Sequence, residues 1–271
     1  MDDLSKYSGE EHLQRAPQLV TNMVRLNGKT GRFELKKVKE GLVQDEKTGK
    51  RSYRTEDLGQ QIDLIFLRIR RKMVEKLQGR PDLAPNPAYT NEHNHKHEKL
   101  ILTTPNGTEY GTSDELRQKY PDLRTQQIMY ALYRNELVRF TVKGSSLGSE
   151  SKSDEIMDFY TYIASFEKNP NARDGVKDHF YDFMTELHAV EEIGKLGGYY
   201  TISFKRGHAN SPETMEKVAA TMKQVHEFVT ESDEYYQSRI GTKAAVEPEP
   251  EPTIDIDEDQ NDEHPVGDIP F

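Results

Sequence analysis

The stretch Gln61-Ile62-Asp63-Leu64-Ile65-Phe66-Leu67-Arg68-Ile69-Arg70-Arg71-Lys72-Met73-Val74-Glu75-Lys76-Leu77 is the strongest segment of the chain. Side chains alternate across a strand, so a period of two sorts these residues into faces. Ile65, Leu67, Ile69 and Met73 fall on one face, and Leu64, Phe66, Arg68, Arg70 and Lys72 on the other. The first reads as a core face, the second as an aromatic and basic one. The Ile, Leu and Met positions also fit a helical period. The β-branched and aromatic content of Ile62–Arg71 nevertheless favours a strand.

Working outward, Leu26–Leu35 predicts short strands around a Gly turn, and Asp45–Lys50 a hairpin loop with Ser52–Thr55 returning. Pro81, Pro85 and Pro87 make Gly79–Glu92 a loop. Glu98–Thr104 and Thr108–Thr112 form a hairpin in which Asn106-Gly107 supplies the positive φ. Ser113-Asp114-Glu115-Leu116 caps a short helix that stops before Pro121. Arg124–Lys143 reads as one long strand, or two broken at Arg134-Asn135. In its second half Val138, Phe140 and Val142 oppose Arg139, Thr141 and Lys143. Gly144–Ser149 is a flexible turn, Asp154–Lys168 an amphipathic helix, and 176–190 a second helix. Tyr199–Arg206 is a strand with Tyr200, Ile202 and Phe204 inward. Ser211-Pro212-Glu213 opens a long helix to about Tyr236, with a stripe through Met215, Val218, Met222, Val225 and Val229.

The fold class expected is mainly β with α insertions (α+β). Its architecture is an OB-fold-like barrel, partly open, whose exposed sheet face carries bases. A sheet with helices packed on one side is the fallback. The organisation expected is a flexible N-terminus over 1–22, one domain over 23–240 and a disordered acidic tail over 241–271.

Charge supports that division. Between Ala244 and Phe271 there are ten Asp and Glu and no Lys or Arg. The chain holds 47 acidic and 37 basic residues, so removing those ten leaves a neutral body and puts the whole net charge of −10 in the tail. Zero Cys excludes disulfides, thiolate zinc sites and cysteine nucleophiles. Met1–Lys6 has no basic-then-apolar leader, and no run of apolar residues is long enough to span a bilayer. The location expected is the cytoplasm, of a bacterial cell or a phage-infected host, with no membrane partner.

The tail ends in Asp268-Ile269-Pro270-Phe271, an apolar plug beside carboxylates that suits a pocket with a basic rim and an apolar floor. These four residues resemble the C-terminal tip of bacterial and phage single-stranded DNA-binding proteins. The resemblance covers the tail alone, and nothing in the body matches that family motif by motif. It implies a protein that coats and protects ssDNA during replication, recombination and repair, and recruits partner proteins through the tip. It also implies competition between tail and DNA, and a possible homo-oligomer.

Binding single strands needs cations that follow phosphates and rings on which bases stack. The candidates are Phe66, Arg68, Arg70 and Lys72; Arg139 and Lys143; and Tyr199, Lys205 and Arg206. Tyr53, Tyr110, Tyr130 and Tyr133 are further stacking candidates, with Arg134 beside the last. His93, His95 and His97 alternate as metal ligands could, but read more simply as a polar loop. HExxH, GxxxxGK[ST] and GxGxxG are all absent, and Gly144–Gly148 lacks the strand-to-helix context of a nucleophile elbow. No enzymatic activity and no cofactor are expected. The alternatives are an acidic nucleic-acid mimic that blocks a DNA-binding enzyme and, behind it, a metal-dependent nuclease.

Overall fold

Gln61–Glu75 is one unbroken strand of 15 residues, and strands from both halves of the chain pair with it. The computed structural model describes residues 16–44, 51–76, 87–95, 97–148, 157–167, 178–194 and 197–244. In chain order the elements are β1 (Asn22–Asn27), β2 (Arg32–Lys36), β3 (Leu42–Gln44), β4 (Arg51–Tyr53), β5 (Thr55–Gly59), β6 (Gln61–Glu75) and β7 (Tyr89–Thr90). There follow β8 (Leu100–Thr104), β9 (Gly107–Gly111), α1 (Ser113–Lys119), β10 (Leu123–Tyr133), β11 (Glu136–Lys143), α2 (Phe159–Glu167), β12 (Phe183–Gly194), β13 (Gly197–Ala209) and α3 (Pro212–Ala244).

The protein is mainly β with a few helices. Its large sheet runs β5-β2-β1-β11-β10-β6-β7-β8-β9, and the β12–β13 hairpin joins the first half of β6. β1 and β11 are parallel and the other pairs antiparallel. The path ends at β5 and β9 and does not close into a barrel. β3 and β4 form a separate two-stranded sheet.

A bulge divides β6. Arg68 pairs with Tyr130 and Phe66 with Ala131, so Leu67 is an extra residue with no partner on β10. A bulge of this kind shifts the alternation by one. Before it, Ile62, Leu64 and Phe66 enter the main core, while Ile65 and Leu67 pack towards α3. Beyond it, Ile69 packs against the main core and Arg70 meets α3. Phe66 therefore does not share a face with Arg70 and Lys72, as a strict period of two requires.

Both faces of the sheet are covered. In the main core Phe66 packs against Phe140, Tyr162 and Phe204 at ring separations of 6.3 Å. On the opposite face Val218, Val225 and Val229 of α3 meet Ile65, Leu67, Leu132 and Leu137. A third cluster of Met73, Ala88, Leu100, Leu102, Leu116 and Leu123 lies under β8, β9 and α1.

Several sequence expectations shift locally. Of the helix expected over 176–190, the described residues 178–190 hold none: Phe180–Asp182 is a 3-10 turn and β12 starts at Phe183. There Thr185, Leu187 and Ala189 contribute to the sheet, and long-range pairing with β6 overrides the helical spacing. α1 is capped by Thr112, one residue earlier than expected, in a capping box with Glu115. The β8–β9 turn places Pro105 and Asn106 at its tip, and the positive φ falls on Gly107 (134°). The break between β10 and β11 is at Arg134 (φ 48°) and Asn135 (φ 66°), both left-handed, as a two-residue primed turn demands. Gly144–Ser146 is a 3-10 turn whose buried Ser146 hydroxyl accepts a hydrogen bond from Ile202 N at 2.9 Å. Within 16–22 Thr21 and Asn22 are buried and Leu19 joins the α3 cluster, while Gln18 and Val20 are exposed. The acidic tail beyond Ala244, with Asp268, Ile269, Pro270 and Phe271, lies outside the described residues.

Gly31 shows how tightly the β1–β2 turn is fitted. It has φ +65°, and a Cβ there would stand 2.5 Å from the Tyr200 ring. Gly144 has φ +64° with nothing near such a Cβ. Gly144→Ala should therefore cost only the left-handed backbone term, about 1 kcal/mol. Gly31→Ala should cost that and the displacement of Tyr200, together about 2–4 kcal/mol. Urea denaturation of the two variants beside the parent checks the difference.

Candidate nucleic-acid interface

Most of the basic residues picked out by sequence serve the fold. Arg70 is buried, donating from Nη1 and Nη2 to Asp233 of α3 at 3.0 and 2.5 Å and from Nη2 to the Glu92 carbonyl at 2.8 Å. Arg139 donates to Glu92 at 2.5 Å, and Glu92 also accepts from the Tyr130 hydroxyl at 2.8 Å. Tyr130 is 1% exposed, and burial pushes its phenol far above the usual range. Lys72 lies 4.4 Å from the Tyr89 ring centre, and desolvation holds its amine below the ordinary lysine value. Phe66 is fully buried. Phe66 and Tyr130 are thus corrected from base platforms to core residues, and Arg70 from a phosphate contact to the anchor of α3.

The remaining candidates are dispersed. Tyr133 is buried at the edge of the main core, with Arg134 4.8 Å over its ring and paired to Glu56 at 3.1 Å. Lys205 pairs with Glu186 at 3.2 Å, and Arg206 with Asp178 at 3.1 Å while covering the Phe166 and Phe183 rings. Tyr199 donates to Glu192 at 2.8 Å. Tyr53 lies under Lys36, Tyr110 is half-buried on β9, and Arg68 is half-buried beside the bulge. These residues do not form one continuous surface.

Lys143 is different. It lines a groove of about 790 Å³ at the ends of β6, β10 and β11, with Lys76, Arg124, Thr125, Ser145 and Tyr200. Among the described residues neither Lys76 nor Lys143 has a carboxylate partner, and Arg124 has one at 3.7 Å, Asp122. Arg117 stands beside it, donating to the Thr125 hydroxyl. One carboxylate, Glu75, also lines the groove, and it accepts from the Ala88 amide at 3.0 Å. The cations converge because strand pairing sets Arg124 opposite Val74 and Gln126 opposite both Lys72 and Lys143.

Beside this groove lies a smaller hollow of about 320 Å³, lined by Ile69, Arg71, Asn94, Gln127, Phe159, Tyr160, Ile163 and Ala164. Tyr160 is 47% exposed at its mouth, and its hydroxyl accepts from Gln127 Nε2 at 3.3 Å. Neither Tyr160 nor the cations Lys76 and Arg124 stand out in the sequence, and Arg71 does so only as part of the dense basic run Arg68–Lys72. Arg71 changes face only because of the Leu67 bulge. Tyr160 reads as part of an apolar stripe that Phe159, Ile163 and Phe166 complete without it. That redundancy is the signal that could have singled it out.

His93 is 2% exposed, and burial lowers its imidazole pKa below the ordinary value. Its backbone bridges to Arg71 in both directions. Among the described residues no three His, Asp or Glu side chains are grouped to hold a metal ion. Among the described residues no helix is long and apolar enough to cross a membrane. Comparison with protein-family models, with curated proteins and with solved structures finds no match.

The Arg70–Asp233 contact is the charged anchor between the sheet and α3. Asp233→Asn should leave a buried guanidinium short of its counter-charge and destabilise the fold by about 2–3 kcal/mol. That is below the ~3–5 kcal/mol of a fully buried pair, because Asp233 keeps 33% of its side-chain surface exposed. Urea unfolding measures the loss, and faster proteolysis within 212–244 shows that it falls on α3.

Proposed function

We propose that this chain binds single-stranded DNA along the groove at the ends of β6, β10 and β11, and recruits replication and repair proteins through Asp268–Phe271. One observation carries the reading. Lys76 and Lys143 share a solvent-open groove with Arg124 and have no carboxylate partners among the described residues, while Arg70, Arg134, Arg139, Lys205 and Arg206 are all paired. Unneutralised cations along a groove favour a polyanion, and counterion release supplies the affinity.

Tyr200 lines the same groove and offers a ring of the kind on which unpaired bases stack. A duplex has its bases already stacked on one another, so a groove that offers a ring suits a single strand better. In this reading the groove at the strand ends takes the place of an OB-fold face, since both faces of the sheet are covered. The preference for DNA and the coating role in replication, recombination and repair rest on the four tail residues.

Fluorescence anisotropy of labelled oligo-dT across a salt series tests the groove. Three phosphate contacts on a single strand give a slope of log Kobs against log [salt] of about −2. Lys143→Ala combined with Arg124→Ala should bring it to about −0.7, whereas Lys205→Ala should leave it at the parent value. Absence of binding at low salt would overturn the proposal.

The tail gives a second prediction. Residues 245–271 carry ten carboxylates and no Lys or Arg, and a tethered polyanion competes for the groove at an effective concentration near millimolar. Their removal should tighten oligo-dT binding severalfold at low salt and steepen its salt response, because the tail competes most where screening is least. Phe271→Ala should leave oligo-dT affinity unchanged in the same assay.

A further inference from the structure

The hollow beside the groove has a composition that the phosphate path does not use. Ile69, Phe159, Ile163 and Ala164 give it apolar walls, and Arg71, Asn94 and Gln127 place polar groups at one side. Tyr160 stands between the two spaces. Its amide donates to the Leu147 carbonyl at 3.1 Å, and Leu147 lines the larger groove. Gly148 lies against the same ring, where a Cβ would come within 3.4 Å of it.

We propose that this hollow captures one unstacked nucleobase of the strand bound in the groove, with Tyr160 covering it at the mouth. The inference rests on the groove reading and adds a site to it. A phosphate is a poorer occupant, because Ile69, Phe159, Ile163 and Ala164 would strip hydration that Arg71, Asn94 and Gln127 replace only in part. A base fits on both counts: its flat faces are apolar and its edge carries donors and acceptors. The volume of about 320 Å³ accommodates either a purine or a pyrimidine. The Asn94 amide offers donors and an acceptor to a base edge, and Gln127, whose nitrogen donates to the Tyr160 hydroxyl, keeps its carbonyl oxygen as an acceptor. Capture of a splayed base between apolar and aromatic side chains is a general route to holding single strands. Gln127 is 2% exposed and its amide nitrogen is held by the Tyr160 hydroxyl, so the polar side of the hollow is fixed in place.

The test compares oligo-dT with a fully abasic oligomer of the same length, on the parent, Ala164→Trp and Tyr160→Ala. Ala164→Trp fills the hollow, and Tyr160→Ala removes its exposed cover. The parent should bind oligo-dT at least about tenfold more tightly than the abasic oligomer. Both variants should lose at least about threefold of that preference, the part that Tyr200 does not supply, and keep the parent's abasic affinity and salt slope, which also shows that they fold. If the parent binds both oligomers equally with the expected salt slope, base capture is wrong and the groove reading stands. If the variants keep the full preference, bases are held elsewhere and this site is wrong. If the parent binds neither oligomer, both readings fall together.

Discussion

One unpaired residue, Leu67, sets the side of the sheet that each cation of β6 occupies. On the near side of the bulge Phe66 belongs to the ring cluster of the main core. On the far side Arg70 points to α3, and Arg71 is released towards the hollow beneath Tyr160. Without the extra residue Arg70 would be aimed at the core that Ile69 now meets. A buried guanidinium there would find no Asp233, and an unpaired charge in an apolar cluster costs more than the cluster could offset. The bulge thus lets a single strand supply a core, an anchor for a helix and a cation beside an open groove.

The electrostatic layer follows from the same phase change. Arg70, Lys72 and Arg139 meet Asp233, Glu92, Tyr89 and Tyr130 beneath α3, where each cation has a carboxylate or a ring against it. Buried pairs of this sort specify geometry more than they stabilise, because desolvation takes back much of the Coulomb attraction. The unpaired Nε atoms of Arg70 and Arg139 indicate the cost of holding guanidinium groups there. Lys76 and Lys143, at the strand ends, have no carboxylate partner among the described residues, and solvent keeps them charged at little expense.

The segments legible in the sequence were those whose signals are local. The β1–β2 and β8–β9 hairpins, the β10–β11 break at Arg134-Asn135 and the amphipathic runs of α2 and α3 all follow from turn chemistry or periodicity within a few residues. What failed depended on partners far along the chain. The bulge exists only in the pairing of β6 with β10, and no local pattern around Leu67 announces it. Residues 176–190 carry helical spacing, yet Thr185–His188 become strand because Gln61–Leu64 offer an edge to pair with. Among the ssDNA candidates Lys143 alone lines the groove. A basic residue in a sequence does not reveal whether a carboxylate from a distant element will reach it.

The parallel pairing of β1 with β11 has a consequence for how the chain assembles. Asn22–Val24 lie against Val138–Phe140, so β1 must wait for a strand more than a hundred residues downstream. The hairpins β1–β2, β8–β9 and β10–β11 can form early from neighbouring residues. Closing the sheet between the first and the last of these is a long-range event, and it carries a loop-closure entropy that the local hairpins do not. Until it happens the outer edge of β11 is open, with the apolar Val138, Phe140 and Val142 beside unpaired backbone groups. Newly made chains in that interval are the ones most exposed to pairing with each other.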